Sequence, residues 1–480
     1  MIFADRSLFM KAVLAAALML WPLAAFGVPA YFADSLSYYK GGQAAVEFVA
    51  EILQPSPADT GPNQNAHGAG EAASAAANAK GARSVVYSVA AFLLGAPGAS
   101  MMLLVVAQAL AAGWIVAIAA RLAGIRSWSG FLLLAAVLAF ATPAAMFVCY
   151  IVPDIFAALL IASCVLLTVA SERLSAGVRV SLAGIAAFAV TSHASHVPVA
   201  AGLFVLGSAW TLWRRGSAAE KTRRVGWLAA PMVLGTLATV ATGFIGFGTV
   251  SVAPKRYPLT LARSIEDGPA RWYLAEHCAE RRYAVCEVFG PQMPDTVPDF
   301  LWENGLTGRA TPEQMDRIRA EESEIVLAAA RAYPLTQLRL TASNIAAQAW
   351  SIGLRDLTFD QRTVVDQQGG IGLVATGVDS RPALTLVAWL SVFTALAALL
   401  GLAWTLRWMQ PCERAGAALL LAGLLGNAAV CAIFSGVADR YQARVVWLLP
   451  LFVLAFAIAS AERRWRVDGR PGEQRPPLRT

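Results

Sequence analysis

Ten long apolar stretches recur along the chain, near 8–28, 98–120, 128–147, 153–171, 180–194, 197–213, 225–248, 382–406, 415–435 and 445–461. Crossing a hydrocarbon core of ~30 Å takes about 20 helical residues. In lipid every backbone polar group has to be paired within its own segment or sheet, so repeated runs of this length commit the chain to helices. The fifth, sixth and tenth runs are short, and 180–194 with 197–213 reads equally as two crossings or as a tight hairpin of short helices. The expected fold is an all-α polytopic membrane protein of about ten transmembrane helices. Only 14% of the residues are charged, against about 25% in soluble domains, which supports the same class.

Charge sets the expected orientation. The N-terminal segment, the short connections on its side and the tail hold 19 of the 38 basic residues but 7 of the 31 acidic ones. Short basic loops stay on the cytoplasmic side, which predicts N-in and C-in in a bacterial cell inner membrane. The net charge of +7 is therefore loop charge facing membrane lipid, and no nucleic-acid partner is implied. Leu8–Val28 reads as an uncleaved first span rather than a signal peptide, because Asp5 and the Trp21-Pro22 break depart from the leader pattern.

These spans divide the chain into an N-terminal transmembrane module (1–248, spans one to seven), an outer segment (249–381), a C-terminal transmembrane module (382–461) and a disordered cytoplasmic tail (462–480). Within the first outer loop, 29–83, the stretch Pro55–Ala82 is too poor in large apolar residues to build a core. It reads as a flap or as disorder, and Arg83–Leu94 as a half-buried helix. In the outer segment, Thr311-Pro312-Glu313 is a helix start, followed by Met315, Ile318, Ile325 and Ala329 at helical spacing. Leu335, Leu338, Ala342, Ile345, Ala349 and Ile352 form a second stripe, suited either to the membrane surface or to the segment's own small core.

Chemistry-bearing residues collect at the outer ends of the spans. Asp34, in Phe32-Ala-Asp-Ser-Leu-Ser-Tyr-Tyr-Lys-Gly-Gly42, follows the first span directly and is the candidate general base, with Tyr38 beside it. Asp154 follows Pro153 at the start of the fourth span. It is either a helix-capping acid or a second acid on the same outer cavity. Arg440-Tyr441, in the last outer loop, and the Lys255-Arg256 pair are candidates for a lipid phosphate, whose oxygens a planar guanidinium matches, and Arg83 is a further one. His193 and His196, three residues apart, lack a nearby carboxylate or thiol to complete a metal site. Cys278 and Cys286, eight apart in a segment placed outside, suit a disulfide, whereas Cys149, Cys164, Cys412 and Cys431 read as packed thiols.

The layout resembles the class C glycosyltransferase (GT-C) superfamily. The resemblance rests on an acid in the first outer loop (Asp34 with Tyr38), Pro153-Asp154 opening the fourth span, a large outer segment after the seventh span, the Ala330–Pro334 helix end, and a late Arg440-Tyr441 with Pro450. Such enzymes take a sugar from a polyprenyl-phosphate carrier and transfer it on the outer face. The resemblance implies a base or acceptor-orienting role for Asp34. The paired acid usual in that loop is missing, so no cofactor is expected, and a divalent metal stays open but lacks support. Asp267-Gly-Pro269 and Tyr273-Leu-x-x-x-Cys278 are also similar to uncharacterised bacterial inner-membrane proteins.

The function expected is an inverting membrane glycosyltransferase whose partners are a polyprenyl-phosphate-linked sugar and an envelope acceptor. A transporter of lipid-linked sugars or small molecules, or a non-enzymatic envelope assembly protein, are the alternatives. The spans hold few of the mid-membrane charges that ion-coupled transporters use, and no phosphate-binding G-x-x-x-x-G-K-[ST] loop occurs.

Overall fold

The computed structural model describes residues 6–53, 83–95, 99–302, 304–365 and 370–468. The flap expected over Pro55–Ala82 and the tail beyond Asp468 lie outside them. Among the described residues eight helices are long and apolar enough to cross a membrane: Arg6–Phe26, Met102–Ala123, Ile155–Arg173, His196–Trp213, Ala218–Phe247, Arg381–Trp408, Pro411–Phe434 and Arg440–Trp465. The chain is a mainly helical polytopic membrane protein. The two remaining apolar runs fold as shorter helices, Trp128–Phe140 and Ala176–Ser192. Hydropathy extends the first of these to residue 147. It stops at Ala141 because Pro143 has no N–H for the ladder, and the Thr142 hydroxyl donates back to the Leu138 carbonyl at 2.5 Å. A separate short turn, Ala144–Val148, follows.

Close helix approach relies on small residues, since apolar burial does not by itself drive helices together in lipid. At Gly113 a Cβ would come within 2.3 Å of the Ala12 carbonyl oxygen and would meet Ala16. The Arg6–Met19 and Met102–Ala123 helices can touch along that line only because no side chain intervenes. Gly42 does the same for Ser35–Leu53 against Val85–Gly95, where a Cβ would collide with the Ser88 backbone. Val85–Gly95 is the helix expected from residue 83 onward, half-buried with Tyr87, Ser88 and Ala91 inward.

The segment after the seventh span has its own core. Leu261, Ile265, Leu274, Phe300, Met315 and Ile325 are all fully buried in one cluster, apart from the membrane bundle's. The Pro312–Ala332 helix starts on Thr311, whose side chain and Gln314 form a reciprocal capping box, and its buried stripe is Met315, Ile318, Glu322, Ile325 and Ala329. Four of these five follow from periodicity. The fifth, Glu322, is a carboxylate on an apolar stripe, and hydropathy alone passes over it. The Pro334–Trp350 helix is inverted relative to a soluble one. Gln348 is buried while Leu335 and Leu338 are 82% and 68% exposed. Its polar face meets protein and its apolar face is open, which favours the membrane-surface reading over packing on a local core. An antiparallel hairpin, Gln361–Val365 with Ile371–Ala375, interrupts the helical pattern.

Two backbone bridges fix the first loop. Ala30 pairs with Tyr150 and Tyr31 with Thr358, through Ala30 N–H to the Cys149 carbonyl (2.9 Å), Ile151 N–H to the Ala30 carbonyl (2.9 Å) and Tyr31 N–H to the Thr358 carbonyl (3.3 Å). The last helix runs on to Asp468, so 462–468 is helical rather than part of a disordered tail. Glu462 is engaged there, accepting from the Ser127 hydroxyl at 2.6 Å.

Cys278 and Cys286 form a disulfide with a Cα separation of 5.6 Å. Closing so short a loop constrains the unfolded chain by about 2–3 kcal/mol in the entropy picture. Reduction, or the Cys278→Ser/Cys286→Ser variant, should raise hydrogen exchange across 259–332 by about the corresponding factor while leaving the membrane helices protected. Hydrogen exchange with mass spectrometry reads both regions in one experiment.

Candidate functional site

A cavity of about 950 Å³ lies where the first loop, several span ends and the 259–332 helices meet. Its wall includes Asp34, Arg83, His193, Arg256, Arg440 and Tyr441. Residues hundreds of positions apart are thus brought together, because the bridges at Ala30 and Tyr31 hold the start of the Ser35–Leu53 helix against the bundle.

Asp34 Oδ1 accepts from Arg83 Nη2 at 2.5 Å, and both side chains are about a quarter exposed. The Arg83 guanidinium also sits 5.6 Å from the Tyr257 ring centroid, and Tyr257 meets Trp302 edge-on at 4.8 Å. Also on the wall, the Arg440 guanidinium lies over the Phe32 ring at 4.1 Å and the Tyr441 ring at 5.0 Å. Stacking of this kind holds a guanidinium plane in place, and Arg440 Nη2 donates to the Tyr441 hydroxyl at 3.4 Å. Among the described residues no carboxylate is paired with this guanidinium. The Tyr441 hydroxyl is 2.8 Å from Ser435 Oγ. Arg256 is ion-paired with Glu322, whose Oε1 accepts from the Thr260 and Leu261 N–H groups at 2.9 and 3.1 Å. That buried carboxylate ties the 259–332 helices to the cavity wall.

Three expected site residues lie elsewhere. Asp154 does not line this cavity and makes no cap hydrogen bond. It is 4% exposed and pairs with Arg444 at 2.6 Å. It stands at the N-cap position of Ile155–Ala170, but its carboxylate is turned to a fully buried guanidinium rather than to the helix backbone or the cavity. Lys255 is turned away, ion-paired with Asp316 at 2.7 Å, so the Lys255-Arg256 pair splits between two environments. Tyr38 is buried against Tyr87, ring centroids 5.0 Å apart, and borders a smaller hollow instead. Burial pushes its phenol well above the ordinary value, so it stays protonated.

Two residues gain importance only in the folded molecule, Arg444 and His193. Arg444 also donates to Asn427 Oδ1 at 3.0 Å and lies 3.3 Å from Cys431 Sγ. Its signal in the sequence is spacing, since Arg440 and Arg444 fall one turn apart. The two histidines do not share a helix face. His193 ends one helix and His196 begins the next, with ring centroids 5.5 Å apart. His193 Nδ1 accepts from the Ser195 N–H at 3.2 Å, which fixes the tautomer with its proton on Nε2. His196 Nδ1 donates to the Ala189 carbonyl at 2.6 Å. Among the described residues no group of three or more His, Cys, Asp or Glu is arranged to hold a metal. The chain matches no protein-family model, no curated protein and no solved structure.

Proposed function

We propose that this chain is a membrane glycosyltransferase that moves a sugar from a polyprenyl-phosphate carrier to an envelope acceptor. It would work from ten membrane segments in the bacterial inner membrane, N-in and C-in, with the 249–381 segment outside. One observation supports this above all others: Asp34 and Arg440 line the same cavity at the membrane-domain junction. A carboxylate lining the same cavity as a stacked guanidinium that, among the described residues, forms no ion pair suits a transfer that takes a proton from the acceptor and leaves charge on a phosphate. In this reading Asp34 receives the acceptor hydroxyl's proton. Arg83 holds the carboxylate in position at Oδ1, and among the described residues no partner occupies Oδ2. Arg440 receives the departing lipid phosphate, with Arg256 as the next positive charge along the wall. The wall residues come from one end of the bundle, a geometry that favours transfer on one face over passage through the membrane.

The test uses the purified full chain in proteoliposomes with a radiolabelled polyprenyl-phosphate-linked sugar, following label onto an acceptor oligosaccharide. Arg440→Gln should raise the donor KM about tenfold or more while the acceptor KM holds, since one charge-assisted contact to phosphate contributes about 1.5–3 kcal/mol. Unchanged donor kinetics in that variant would remove Arg440 from the site, and with it the central support for the reading.

A further inference from the structure

A second hollow of about 500 Å³ lies between the end of the Pro334–Trp350 helix and the start of the Arg381–Thr405 helix, sharing no wall residue with the central cavity. Two arginines stand at its mouth. Arg381 Nη1 donates to the Arg355 carbonyl at 2.9 Å. The Arg355 side chain is 89% exposed, with its Nε 3.2 Å from the Asp439 carboxylate. Two further acids stand next to these arginines in the chain but do not line the hollow: Asp356 directly follows Arg355, and Asp379 turns its carboxylate onto the Arg381 backbone N–H at 3.1 Å. The mouth therefore presents two guanidiniums against one lining carboxylate. Below it the wall becomes apolar: Leu384, Ala388 and Val392 follow one another down a single face of a helix long and apolar enough to span, with Thr385 between them. Trp350 and Trp389, 66% and 61% exposed, flank the slot.

Exposed indoles beside guanidiniums, above an apolar channel, match the chemistry of a lipid at the membrane interface. A phosphate pairs with a guanidinium edge, and an acyl chain is the partner for an apolar helix face. We propose that this groove binds an anionic glycerophospholipid, its phosphate between Arg355 and Arg381 and one acyl chain along the Leu384–Val392 face. The charge balance at the mouth selects an anionic lipid over a zwitterionic one. The proposal does not depend on the reading of the central cavity.

Native mass spectrometry of the delipidated full chain tests it, with dioctanoyl phosphatidylglycerol, dioctanoyl phosphatidylcholine and inorganic phosphate as separate probes. Phosphatidylglycerol should bind with one preferred site. The Arg355→Gln/Arg381→Gln variant should lose at least tenfold in that affinity. Thr385→Trp changes an exposed position, fills the slot and keeps both charges, and it should lose a similar amount. Arg440→Gln should leave this binding unchanged. Wild-type affinity in either the charge or the slot variant, equal binding of phosphatidylcholine, or competition by inorganic phosphate alone would each overturn the proposal.

Discussion

Replacing Arg444 by methionine should destabilise the protein by about 3–5 kcal/mol, because the substitution leaves the Asp154 carboxylate buried without its partner. Asp154 and Arg444 are both nearly solvent-free and 290 positions apart in sequence. The pair joins the start of the Ile155–Ala170 helix to the Arg440–Val446 helix. Its attraction is offset by the cost of desolvating two charges, so the pair as a whole adds little net stability. The asymmetry gives the prediction its form. Arg444→Met and Asp154→Leu should each be severe alone, while the double variant should recover most of the loss. Equilibrium unfolding in mixed micelles measures all three. A single-variant loss below about 1 kcal/mol would mean that water reaches the pair. Recovery of stability in the double variant also separates the ion pair from simple overpacking.

Asp34→Asn should lower transfer by about 10²–10⁴-fold, the range lost when a positioned general base is removed. The substitution keeps size and shape and leaves an amide oxygen that can still accept from Arg83. Stability should therefore change by less than about 1 kcal/mol, since the pair is partly exposed and surface pairs contribute little. That combination, full insertion with transfer lost, distinguishes a reacting carboxylate from a structural one. A variant that folds and transfers normally would exclude Asp34 as the base. Arg83→Gln supplies a second view. If Arg83 only orients the carboxylate, its loss should lower kcat more than it raises the donor KM.

Much of the architecture can be read from the chain because it depends on local pattern. Span length, the Thr311 capping box and the stripe through Met315, Ile318, Ile325 and Ala329 are all set by residues within a turn or two of each other. The termination at Thr142-Pro143 is equally local, but the apolar run conceals it: hydropathy records no missing N–H. Partnerships across the fold are not legible. An acid placed like Asp154 at a helix start can cap the backbone or face a cavity, and only the arrival of Arg444 from the far end of the chain gives it a third role. Glu322 shows the same limit, since its position on an apolar stripe marks it as buried but cannot say that Arg256 and two backbone N–H groups receive it. For His193 the three-residue distance to His196 suggests one helix face, whereas a helix boundary falls between them. Hence Asp34 and Arg440 can be nominated separately, but their sharing of one wall is a property of the packed molecule.

The bridges at Ala30 and Tyr31 also impose an order on biogenesis. Ala30 finds its partner at residue 150, but Tyr31 has to wait for Thr358, and the Arg440 wall of the cavity leaves the ribosome later still. A nascent chain can thus insert its early helices long before the loop carrying Asp34 acquires its final neighbours. Until then the site holds Asp34 with Arg83 and Glu322 with Arg256 but lacks Arg440 and Tyr441, so a prematurely terminated chain would occupy the membrane with a half-built pocket.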